Sequence, residues 1–251
     1  YSVLTRIGSV SGNFIGALGH DLIGFTGILL LFALVSGLAV PLGLLARGAL
    51  PKADKRKARS ADGQSAGWGL LFGGFSLGFV GHGMILSSLG LVLKEAVGDG
   101  LQVAGIFIGV ATLTGALMSS RWIVDLTAPL LGAFSDRIGR RRGGLLFFSA
   151  GALALCLAAL GDGLLWLGAS VLLFFFCAAG VGVVMAAEAG ARGARAVASY
   201  ATTSDAGACV GPLLAWTMPE LQLPTVLIFV WGAAFYAVAG VVARFSFDRG
   251  N

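Results

Sequence analysis

Six polar residues stand where a run of hydrocarbon side chains would be expected. His82, Arg121, Asp125, Glu188 and Asp205 are ionisable groups inside long apolar stretches, and Asn13 is an uncharged sixth. Ionisable groups at membrane depth are costly and generally face a partner or a water-filled cavity. Arg121 and Asp125 lie four residues apart, so on a helix they share one face. Two roles fit that spacing: a self-neutralising pair that locks its helix to a neighbour, or a carboxylate that takes a proton when its arginine is drawn away. In the second role Asp125 is the proton site and Arg121 its gate or an anion anchor. His82 is flanked by Gly81 and Gly83, which clear space around the ring. It reads either as a ligand contact that titrates near neutral pH or as an imidazole bonded to a backbone carbonyl. Asp205 follows Thr202, Thr203 and Ser204, a polar segment expected to bond near the cytoplasmic end. Glu188 stands four before Arg192 and reads as a surface or gate salt bridge.

The elements that must hold these groups follow from composition. The 251 residues are 57% hydrophobic and 12% charged, with mean hydropathy +0.91. Soluble domains carry about twice that charged fraction, so the natural solvent is lipid. The fold class read here is an all-α polytopic membrane protein. Apolar runs of spanning length cover Val3 to Gly19, Phe25 to Ala46, Gly67 to Leu93, Val103 to Phe134, Gly143 to Leu160, Leu164 to Ala187, Val197 to Trp216 and Leu223 to Ala243. Pro41 and Pro129 within them are expected to bend their helices. Arg6, the basic residues between Arg47 and Arg59, Arg137 to Arg142, Arg192 with Arg195, and Arg244 with Arg249 fall on one side. That side is expected to be cytoplasmic, with both ends there. Counted at 1.5 Å per residue from Asp136, Asp125 lies roughly 16 Å deep and Arg121 roughly 22 Å deep.

Several classes are disfavoured. No aromatic-interleaved basic stripe suggests nucleic acid. Cys156, Cys177 and Cys209 have no metal-ligand spacing and read as small core residues, so neither a metal nor a cofactor is expected. An intramembrane enzyme needs a nucleophile with its base or a metal cage. No H-E-x-x-H occurs, nor a nucleotide-binding G-x-x-x-x-G-K-[ST], and only two histidines, His20 and His82, could serve as a base.

Between two apolar runs stands Gly132-Ala-Phe-Ser-Asp136-Arg137-Ile-Gly139-Arg140-Arg141-Arg142. It resembles the loop signature of the major facilitator superfamily of secondary transporters, G-x-x-x-D-R-x-G-R-[RK], matched by Gly132, Asp136, Arg137, Gly139, Arg140 and Arg141. The resemblance implies the twelve-helix fold of that superfamily, two six-helix bundles joined by a cytoplasmic linker. This span then corresponds to helices five to twelve, with helices one to four of the same protein expected upstream of Tyr1. Residues 1–46 would be the last two helices of the first bundle, 47–66 the basic linker and 67–251 the second bundle. Gly12-x-x-x-Gly16 and Gly207-x-x-x-Gly211 align at one offset, as parallel repeats should, and both promise close helix packing. Asp136, Arg137, Arg140 and Arg141, with Glu188, become cytoplasmic gate residues.

The implied function is a multi-pass carrier in the cytoplasmic membrane that moves a small molecule by alternating access. The titratable set favours protons over sodium as the coupling ion. Apolar walls suit efflux of lipophilic drugs or amphiphiles; Arg121 equally suits symport of an organic anion. The alternative is a transport-inactive relative acting as a sensor or scaffold. Expected partners are lipid, solute and H+, without nucleic acid.

Overall fold

A helix forms where apolar residues recur without breakers, and it stops where glycine or proline removes the option of continuing. The computed structural model describes residues 2–46, 65–103 and 105–246. Its elements are α1 (Ser2–Ala46), α2 (Trp68–Ser76), a π-helical segment (Leu77–Ile85), α3 (Leu86–Val97), β1 (Gly100–Val103), β2 (Ile106–Gly109), α4 (Val110–Val124), a 3-10 turn (Asp125–Thr127), α5 (Ala128–Ile138), α6 (Arg140–Leu160), α7 (Leu164–Arg192), α8 (Ala194–Glu220) and α9 (Val226–Ser246). The basic linker, from Arg47 to Gln64, lies outside the described residues.

Among the described residues, five helical stretches are long and apolar enough to cross a membrane: Val10–Ala39, Trp68–Val97, Arg140–Leu160, Leu164–Arg192 and Val226–Arg244. Their outer surfaces carry side chains such as Leu34, Leu160, Leu165 and Val241 in the open. In water such a surface would aggregate; in hydrocarbon it costs nothing. The chain is thus built as an all-α integral membrane protein.

α1 is two arms. Gly24 has φ +75° and ψ 172°, outside helical geometry. The arms fold back on each other, because a Cβ at Gly16 would touch the Phe32 ring at 2.9 Å and one at Gly19 would lie 2.6 Å from Ile28. A straight helix would hold residues 16 and 32 roughly 24 Å apart. Unlike Gly24, Pro41 does not interrupt the assigned helix.

The fourth apolar run departs from expectation in two places. Its first residues form a β-hairpin, with Gly100 opposite Gly109 and Leu101 opposite Ile108. Gly105 supplies φ +83° in the turn. The β-branched and aromatic residues Ile106, Phe107 and Ile108 suit strand geometry, so the helix starts only at Val110. Further on, Pro129 has no N–H to give the Asp125 carbonyl, and the helix tightens into the 3-10 turn before α5.

The core lies among α2, the π segment, α6, α7 and α9. Tyr236, at its centre, meets Phe148 and Phe174 with ring centroids 5.3 and 5.2 Å away. α6 packs along α7 and α9, while α8 crosses the π segment. At that crossing the backbones touch. A Cβ on Gly78 would overlap the Ser204 carbonyl, one on Gly207 the Phe75 carbonyl, and one on Gly83 would sit 2.7 Å from Gly211 Cα. Gly207 and Gly211 therefore pack as their spacing predicts. The aligned pair does not: Gly12 faces open space and Gly16 takes a ring. Of the cysteines only Cys177 is buried; Cys156 and Cys209 are exposed, which corrects their reading as core residues. Their helices turn those positions outward, where a small apolar thiol meets lipid as easily as core.

Candidate functional site

Two rods bring three of the predicted residues to one cavity. The π segment carries His82, α4 carries Arg121 near its end, and Asp125 opens the 3-10 turn. They line a cavity of about 250 Å³ whose far wall is α7, with Ala178, Gly182 and Val183 facing it. Arg121 is 9% exposed, so its charge is nearly lost to bulk water. Its guanidinium lies 5.1 Å from the Trp122 ring centroid, a cation–π distance. It interacts electrostatically with both His82 and Asp125. A buried guanidinium beside a carboxylate can take up an anion, or release that carboxylate to take a proton, only by exchanging a partner. His82 sits in wide i→i+5 helix, a conformation found mainly at functional sites. Nothing in the sequence announced it beyond the spacing Gly78, Gly81, Gly83.

The other sequence-predicted residues lie elsewhere. Asn13 lines a separate cavity of about 580 Å³ between the arms of α1 and α4, with His20, Phe25, Phe32 and Met118 among its walls. Asp205 is exposed on α8 and does not line the charged cavity. The polar segment before it turns back on its own helix: Thr202 donates to the Ala198 carbonyl at 3.0 Å and Thr203 to Tyr200 at 2.9 Å. The bond from this segment to helix α4 or to the signature loop is not made, since hydroxyls reach the i−3 and i−4 carbonyls first.

The signature loop is shorter than its sequence suggests. Asp136 and Arg137 end α5, Arg140 to Arg142 already form the first turn of α6, and Gly139 alone joins them at φ +89°. Asp136 faces Arg140 at 3.5 Å, and Arg140 Nη1 donates to the Ala187 carbonyl of α7 at 3.4 Å. Arg137 is exposed and Arg141 half-buried. Gly132 faces Val183 at ordinary contact distance. Glu188 takes two bonds from Arg192, at 3.0 and 2.8 Å, as expected from their spacing. Arg192 also rests against Gly67, where α2 begins.

One participant was missed by the sequence reading. Asp21, at the reversal of α1, accepts from the Thr112 amide at 3.0 Å and the Thr112 hydroxyl at 2.6 Å. Thr112 is the third residue of α4, so Asp21 caps that helix from another element. The seam continues down the rod: Gly115 meets Ala17 and the Asn13 carbonyl, and Ser119 donates to the Val10 carbonyl at 3.1 Å. The available signal was an acidic residue at a helix end with small residues four apart behind it, a pattern too common to single out.

No family model matches the chain, and no match was found among curated proteins or solved structures.

Proposed function

We propose that this chain is the C-terminal portion, helices five to twelve, of a proton-coupled secondary transporter of the major facilitator superfamily. The observation that carries the reading is the convergence of His82, Arg121 and Asp125 on one cavity within the apolar body. A purely structural Arg–Asp pair needs no cavity; a site that binds and releases does, and a histidine beside it suits proton coupling. Taking the arms of α1 as two crossings, α4 with α5 as one and α8 as another brings the total to eight. The cytoplasmic face is the one carrying Asp136, Arg140 and the Glu188–Arg192 pair. Residues 47–66 would join the bundles there, in the cytoplasmic membrane of the cell, with helices one to four supplied by the same protein. Alternating access would proceed by rocking one bundle on the other.

The test is solvent access in both states. Cys156, Cys177 and Cys209 are replaced by Ala, and single cysteines are placed at the cavity-wall positions 179, 183 and 186 of the complete protein, which leaves His82, Arg121 and Asp125 in place. A membrane-impermeant thiosulfonate reagent should label each from one side of the membrane and lose that access when an imposed pH gradient shifts the state. Sites sealed from the reagent on both sides under every gradient would end the carrier reading in favour of a sensor or scaffold.

A further inference from the structure

We infer that the His82–Arg121–Asp125 cavity is a site for a small zwitterion, an α-amino acid with an aliphatic side chain or a close analogue; this rests on the transporter reading above. Three observations on the site point the same way.

The first is size. The cavity holds about 250 Å³. Pockets for drug-sized ligands run from about 300 to 1,000 Å³. An amino acid of fewer than ten heavy atoms fits within the cavity's volume.

The second is charge balance. The site already contains one buried cation, Arg121, and one carboxylate, Asp125, that interact with each other. Adding a lone anion or a lone cation would leave one uncompensated charge away from water, which is strongly unfavourable. A zwitterion adds none. Its carboxylate exchanges into the guanidinium fork and its ammonium into the Asp125 carboxylate, so one ion pair becomes two and no charge is stranded. His82 completes the polar side as a hydrogen-bonding neighbour of the bound carboxylate.

The third is the opposite wall. α7 presents Ala178, Ala179, Gly182, Val183 and Ala186, with no polar side chain among them. A Cβ at Gly182 would stand 3.6 Å from Leu77, so the room there ends at about a methyl group's distance. That is an apolar slot of restricted depth beside a bipolar head, the shape of an aliphatic amino acid.

Binding is read on the complete protein in nanodiscs at fixed pH, as the shift in apparent unfolding midpoint. The probes are glycine, alanine, valine and leucine, with leucine methyl ester (cation only), N-acetyl-leucine (anion only) and tetraphenylphosphonium (a lipophilic cation). One or more of the amino acids should raise the midpoint by several degrees at about a hundredfold excess over Kd. Ester, N-acetyl compound and phosphonium should not. Asp125→Asn should weaken the amino acid about tenfold or more by removing a charge-assisted bond. Gly182→Leu, which leaves the charged groups in place, should lower affinity for leucine more than for glycine. Stabilisation by N-acetyl-leucine equal to that by leucine would reduce the site to an anion anchor and overturn the inference. So would a response to tetraphenylphosphonium, or silence to every amino acid. Silence with positions 179 and 183 still labelled from water would defeat the ligand class alone, while loss of that labelling would defeat the transporter reading.

Discussion

Two residues show how little room the interior leaves for error. Gly78 lies so close to the Ser204 carbonyl that a single added carbon has nowhere to go. Gly78→Ala should therefore destabilise by about 1–3 kcal/mol, the usual range for overpacking. Gly37, with open space around it, should accept Ala with a gain of up to about 1 kcal/mol from helix propensity. Unfolding midpoints of the two variants check the contrast, and equal shifts would mean that α8 does not press on the π segment. Tyr236 makes the converse point. Its ring is fully buried, yet its hydroxyl has no hydrogen-bond partner among the described residues. A buried hydroxyl without a partner costs about 1–3 kcal/mol. Tyr236→Phe should keep the ring packing against Phe148 and Phe174 and raise the midpoint. A lowered midpoint would reveal that water holds that oxygen.

Elements are held by contacts that cross between them. α4 begins under the Asp21 carboxylate of α1, so Asp21→Ala should cost about 0.5–2 kcal/mol, the range for loss of a cap. Hydrogen exchange at the Thr112 amide should accelerate more than at Leu117, deeper in the same helix. Equal protection with and without the carboxylate would show that the cap does not hold the seam. How far these elements could be read from sequence depends on the signal each one leaves. The long apolar runs of α6, α7 and α9 were plain, because their length and composition admit no other element in lipid. The pair Glu188–Arg192 was plain from its spacing. The β-hairpin at residues 100–109 was hidden inside a run that hydropathy alone merges with α4, since Ile and Phe are equally apolar in strand or helix. The π segment left only its glycine spacing as a trace, and its packing is tertiary: Gly78 and Gly83 let α8 come close. The pairing of Arg121 with Asp125 was legible from their spacing; that His82 joins them was not, and Asn13 and Asp205, drawn in by polarity alone, lie apart.

At the scale of the molecule, contacts are tied at the two ends of one rod. Thr112 marks one end of the α4–α5 unit and Asp136 the other, roughly 36 Å away at helical rise. Asp21 fastens the first end to α1, and Arg140 fastens the neighbourhood of the second to α7. Arg121 and Asp125 stand between. Only the first tie crosses between the two proposed bundles, so a carrier that rocks one on the other must loosen it, while the second holds its own bundle together. Asp21→Ala should therefore favour the state open at the Thr112 end. Spin labels on residues 18 and 111 should report a longer distance in that variant, and an unchanged distance would mean that the cap is not a latch. The π-helical stretch has one more consequence. A helix whose bonds span five residues carries surplus backbone compared with one whose bonds span four. If that surplus slips one position past His82, the imidazole swings about 100° around the axis. The rod's two ends can stay seated meanwhile. With such a slip the histidine would turn away from the arginine while α2 and α3 kept their places.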